Sequence, residues 1–159
     1  MKKKNGFTLI ETIVVVAMMG LIFAGASVYF STNANKRAVK NTMSRLVSQI
    51  EMARNNAKVR NSPEGSENSN FRYVELSIDN GMVRITNDLG YEYLETDLSN
   101  SGVVIPNISG CQLCFAAGEG KLVNTLGESK TDEVNLVLSS NGYSGRINID
   151  VSGLVEEEQ

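Results

Sequence analysis

The chain has 159 residues, of which 42% are hydrophobic and 21% charged, and its formal net charge is −3. That length holds one globular domain with room for one element outside it, and the composition excludes a disordered or collagen-like chain. Histidine is absent, which removes Ser–His and Cys–His catalytic pairs and any His-ligated metal site.

Met1-Lys2-Lys3-Lys4-Asn5-Gly6 is short and basic, and Phe7 opens an apolar run over residues 7–30. As a helix rising about 1.5 Å per residue, this run would exceed a hydrocarbon core of about 30 Å. A secretory signal peptide fits poorly, because its apolar region should be about 7–15 residues and lead to a small-residue cleavage site. An ordinary transmembrane anchor fits the length but not Glu11. A carboxylate in a lipid-facing helix costs up to a few kcal/mol at the bilayer centre, and it marks a functional position that needs a partner. No Lys or Arg lies between Phe7 and Asn35. Cleavage after Gly6 would supply one, as a positive α-amino group on Phe7, within the same helix or from a neighbouring one.

Lys2-Lys3-Lys4-Asn5-Gly6-Phe7-Thr8-Leu9-Ile10-Glu11 resembles the class III leader junction of type IV pilins and type II secretion pseudopilins. The resemblance covers about the first 30 residues. It implies that a prepilin peptidase cuts after Gly6 and N-methylates Phe7, and that Glu11 aids subunit registration during assembly. It also implies, as partners, other pilin or pseudopilin subunits, an inner-membrane assembly platform and the membrane itself. Many members of that family carry a proline where Val28 stands here. Gly20 and Gly25 are the only helix-weakening residues of the run; they fit either a melting point in a filament or close helix packing. Lys2, Lys3 and Lys4 favour a cytoplasmic leader, but Lys36, Arg37 and Lys40 beyond the run weaken that bias. Orientation therefore follows from the resemblance.

From 33 to 60 there is no glycine or proline, and Val39, Met43, Leu46, Ile50, Ala53 and Ala57 recur four and three apart. This predicts a helical stripe continuing the apolar run into one helix of some fifty residues, ended by Asn61-Ser62-Pro63-Glu64-Gly65. A domain formed by the remainder cannot bury so long a helix, so its first half is expected to project while the stripe packs under the head. Residues 36–60 carry seven basic side chains against Glu51 alone, a net of +6. They fit a solvated face, or a surface for acidic regions of neighbouring heads. Contact with DNA would want interleaved aromatic residues, which are missing.

Residues 61–159 hold five basic and sixteen acidic side chains, a net of −11, which argues against a nucleic-acid-binding head. Alternating segments predict strands at 71–78, 82–86, 91–98, 103–105, 112–116, 121–123, 133–138 and 146–151. Asn80-Gly81 between the first two is a strong hairpin signal, and Ser139-Ser140-Asn141-Gly142 with Ser144-Gly145 punctuates the last pair. The fold class expected is α+β, a long N-terminal helix with a membrane-spanning first half, packed against a C-terminal antiparallel sheet. Its parts are a leader at 1–6, a spanning or filament-core helix at 7–30, an amphipathic helix at 31–60 and a β-rich head at 61–159. Glu156-Glu157-Glu158-Gln159 reads as a frayed tail. The late pair, with Gly145-Arg146-Ile147, is similar to the ending of the minor pseudopilin H family, which favours a minor subunit.

Cys111 and Cys114 supply two ligands where structural zinc needs four. In an exported head they fit either a disulfide, which so short a loop makes weakly stabilising, or a pair of partly buried thiols. Gly118-Glu119-Gly120-Lys121 fails as a phosphate loop, because Leu122 stands where Ser or Thr should follow the lysine. It reads as a turn. No D-x-D-x-D-G calcium run and no cofactor motif is present. Three functions compete: a structural subunit of a type IV pilus or type II secretion pseudopilus, an exported binding module on a membrane anchor (a DNA-uptake pseudopilin, for example), and a membrane-tethered enzyme. Missing histidine and motifs disfavour the enzyme.

Overall fold

A computed structural model describes residues 8–61 and 70–158, apart from the side chains of 26–29, 31 and 32. The protein is α+β. Helix α1 runs Leu9–Val59, 51 residues, and is followed, among the described residues, by eight antiparallel strands in two sheets. The chain divides into two compact units, Met1–Asn35 and Lys36–Gln159.

In the first unit, α1 starts where Thr8 caps it. The Thr8 hydroxyl accepts the Glu11 N–H at 3.4 Å, satisfying one of the N–H groups that a helix start leaves open. Residues 8–25 are all solvent-exposed, including Leu9, Ile10, Ile13, Val16, Leu21, Ile22 and Phe23.

In the second unit, the helix is held by burial. Val39, Met43, Leu46, Ile50, Ala53 and Ala57 are buried, as the stripe predicts. A fully buried Leu or Ile is worth about 1.5–3 kcal/mol. Thr42, Gln49 and Asn56, seven apart on the adjoining edge, are buried too, so the contact face is wider than the apolar spacing indicates. The helix ends earlier than the Pro63 signal, in a Schellman motif. Arg60 takes a left-handed φ of 51°, its N–H bonds to the Ala57 carbonyl, and the Asn61 N–H reaches back to Asn56. These bonds satisfy carbonyls that the last turn leaves open. Ser62, Pro63, Glu64 and Gly65 lie outside the described residues.

The first sheet contains β1 (Tyr73–Asp79), β2 (Met82–Asn87), β3 (Glu92–Asp97), β4 (Ile108–Ala116) and β5 (Leu122–Val123), in the order β3-β2-β1-β4-β5. The second contains β6 (Val134–Ser140), β7 (Tyr143–Ile149) and β8 (Val155–Glu158), in that order. The hairpin expected from Asn80-Gly81 forms, and Asn141-Gly142 within the later punctuation turns a second one: all four residues have positive φ, between 44° and 87°. That is the backbone a two-residue primed turn demands. Alternate residues of both sheets, among them Leu76, Ile85, Leu113, Leu138 and Ile147, share one core with the helical stripe.

Four expectations need correction. The sheet is two sheets. The candidate strand 103–105 reduces to one bridge, Val104 to Ser139. β7 begins at Tyr143 instead of 146, because the turn consumes only Asn141 and Gly142, and Ser144 and Gly145 pair with Ser139 and Leu138. Glu156-Glu157-Glu158 is no frayed tail: it forms β8, paired in register with Asn148, Ile147 and Arg146 of β7. The β7–β8 turn is tied by Asp150, whose carboxylate accepts the Ser152 hydroxyl at 2.7 Å and the Leu154 N–H at 2.8 Å. The Ser152 hydrogen bond foremost holds that carboxyl below its ordinary range.

Two side chains tie the helix to the strand loops. The Arg54 guanidinium donates to the carbonyls of Gly120 and Ser152, each at 3.4 Å. The Tyr93 hydroxyl donates to the Asn61 carbonyl at 2.6 Å, and burial raises its phenol above the ordinary value.

Candidate functional site

Gly6 and Phe7 lie outside the described residues. Glu11 lies within them, exposed in the first turn of α1. Its neighbourhood shows a role that the carboxylate-in-lipid reading passes over. Thr8-Leu9-Ile10-Glu11 has the T-x-x-E spacing of a capping box, with Thr8 at the N-cap and Glu11 three residues on. A negative charge there also faces the positive end of the helix dipole. The sequence carried this signal just ahead of the apolar run, where the leader junction overshadowed it.

The surface beyond Glu11 is apolar on every side. A helix that is hydrophobic all round is stable in water only when something covers it. Among the described residues no helix is long and apolar enough to cross a membrane. The expected span 7–30 lies only partly within them. Its described apolar stretch, 9–25, is about 26 Å long, against a hydrocarbon core of about 30 Å.

Of the seven basic residues at 36–60, six are exposed: Lys36, Arg37, Lys40, Arg45, Lys58 and Arg60. Arg54 is the exception, half-buried and committed to the two loop carbonyls. Lys36 and Lys40 rim a pocket of about 250 Å³ whose other walls are Val39, Met43, Tyr143, Ser144 and Gly145.

Cys111 and Cys114 are disulfide-bonded, with their Cα atoms 5.0 Å apart. The bond closes a bulge. Leu76 of β1 faces Leu113, but Ile78 faces Ile108, so β4 carries extra residues that the ladder cannot pair. Gly110 and Cys111 turn the chain with φ of 66° and 62°, and the Cys111 N–H donates to the Glu75 carboxylate at 2.9 Å. Both sulfur-bearing residues are buried against Val123, Tyr73 and Ala116. The closed loop is so short that chain entropy allows at most about 2 kcal/mol of stabilisation. Reducing the bond to two thiols should therefore lower thermal stability by no more than that, leaving the fold intact by circular dichroism. Loss of the fold would show that the bond holds the whole sheet. Gly118 to Lys121 form a turn between β4 and β5, with Lys121 paired to Glu119 at 3.0 Å.

The first 27 residues match the family model of the prokaryotic N-terminal methylation motif. The match spans the leader junction and Glu11. No curated protein and no solved structure matches the chain significantly.

Proposed function

We propose that the chain is a structural subunit of a type IV pilus or type II secretion pseudopilus, with no catalytic role of its own. Prepilin peptidase cuts it between Gly6 and Phe7 and methylates the new amino group. The apolar run 7–30 then holds it in the cytoplasmic membrane as a single pass, with the head on the outer side, until the assembly platform draws it into a filament. Glu11 pairs there with the cationic terminus of its own or a neighbouring chain.

The observation that carries this reading is the leader match followed immediately by a capped helix whose apolar side chains are exposed all round. Such a surface needs lipid before assembly and neighbouring helices after it. The disulfide supports an exported head, because such bonds persist in oxidising compartments. A minor role is supported by the late strand pair β6 and β7, which carries Gly145-Arg146 within β7.

Mass spectrometry of the protein extracted from cells tests the proposal. The expected N-terminus is N-methylated Phe7. A chain still beginning at Met1, or one trimmed beyond Phe30, defeats it.

A further inference from the structure

We propose that the pocket between the helix and the β6–β7 turn is a docking site for the acidic strand β8 of a second copy of this chain. The inference rests on the subunit reading above and adds the head-to-head contact.

The pocket combines an apolar floor with a cationic rim. Val39 and Met43 are buried beneath it, Gly145 leaves its wall bare of side chain, and Lys36 and Lys40 stand exposed at its edge. Neither lysine forms an ion pair among the described residues. A volume of about 250 Å³ falls just below the range of about 300–1,000 Å³ usual for small-molecule sites. It suits one or two side chains of a partner.

The complementary surface is on the same molecule. Leu154 is exposed, and Glu156, Glu157 and Glu158 follow it along the free edge of the second sheet. Among the described residues only Glu158 of the three has an ion-pair partner, Arg146 at 3.7 Å, and both side chains are well exposed. An unpaired edge ordinarily invites strand addition, and three glutamates suppress it. Two copies of β8 laid side by side would set glutamate against glutamate, which is destabilising. A partner with ammonium groups beside an apolar recess reverses that sign: Leu154 offers apolar surface to the recess and the carboxylates meet Lys36 and Lys40. Because pocket and strand are different surfaces, the contact is head-to-tail and leaves one of each free on every pair, so it propagates along an open chain of copies.

The test uses the full chain in a host with its own assembly machinery. Lys36→Glu with Lys40→Glu, and separately Glu156→Lys with Glu158→Lys, which share the face of Leu154, should each reduce assembled filaments about tenfold, with cleavage after Gly6 unchanged. Combining all four substitutions should restore assembly. Two differently tagged copies, one Lys40→Cys and the other Glu156→Cys, should crosslink to each other. Charge swaps that assemble as well as the native chain overturn the docking site and leave the subunit reading standing. So does a combined variant that stays defective, or a Lys40→Cys copy that crosslinks to a different protein or is protected by anionic lipid vesicles. A native chain left uncut after Gly6 overturns the subunit reading itself.

Discussion

Glu11→Gln should leave the protein inserted in the membrane and cut after Gly6, yet reduce assembled filaments about a hundredfold. Glutamine preserves the capping box, since either residue serves at the third helical position. The substitution removes only the negative charge. On the proposed function, that charge offsets the methylated, positively charged terminus of Phe7 in the assembled state. Taking one member from such a pair within an apolar medium costs about 3 kcal/mol, because the other is left without compensation, and that cost corresponds to about a hundredfold. Insertion of the single chain moves the opposite way, since an uncharged side chain is easier to place in lipid. Glu11→Val extends the comparison by removing the polar side chain as well, while the Thr8 hydroxyl still caps the N–H of residue 11. Counting filaments by electron microscopy, with immunoblots of the membrane fraction, separates the cases. If Glu11→Gln assembles normally and Glu11→Val does not, the residue serves the helix start and not subunit pairing.

Gly145→Val should cost the head about 3 kcal/mol. Gly145 lies within β7, opposite Leu138, and it is buried. A β-carbon placed there would overlap the Met43 sulfur, would stand 2.9 Å from the Met43 methyl carbon and would meet Val39 at 3.5 Å. Met43 is itself fully buried, so its thioether end must leave its packed position and swing toward the adjoining recess. Overpacking of this kind costs about 1–3 kcal/mol, and valine adds two methyl groups beyond the first carbon. For a domain of this size the melting temperature should fall by roughly 10 °C. Shortening the facing residue, as Met43→Val, should recover part of the loss. Unchanged melting in Gly145→Val would mean that the helix and β7 are not in close contact at this point.

The helical stripe was legible because apolar spacing follows the helix period, and every residue it named is buried. Its polar edge was not. Thr42, Gln49 and Asn56 share the seven-residue repeat, but their side chains give no apolar signal, and the Gln49 carbonyl oxygen has no partner in the fold. The Asn-Gly hairpins were legible because the turn backbone selects those residues. The division into two sheets was hidden, since it depends on pairings such as Leu76 with Leu113, which no local pattern encodes. β4 was seen only from residue 112, because Gly110 and Cys111 leave the extended conformation and break the alternation. β8 was missed for a related reason: three successive glutamates look solvated, and they are, but a strand edge is held by backbone hydrogen bonds that do not require apolar side chains. At the N-terminus the leader junction was plain, while the capping role of Thr8 lay beneath it.

Arg54 reaches from the helix to the carbonyls of Gly120, beside the first sheet, and Ser152, beside the second. One guanidinium thus bridges parts of the fold that have no ladder between them, over a core they already share. The head is accordingly a single cooperative unit: neither sheet can open by itself without taking a carbonyl acceptor from Arg54 and exposing the helical stripe. A subunit pulled within a fibre would resist as a whole and give way all at once.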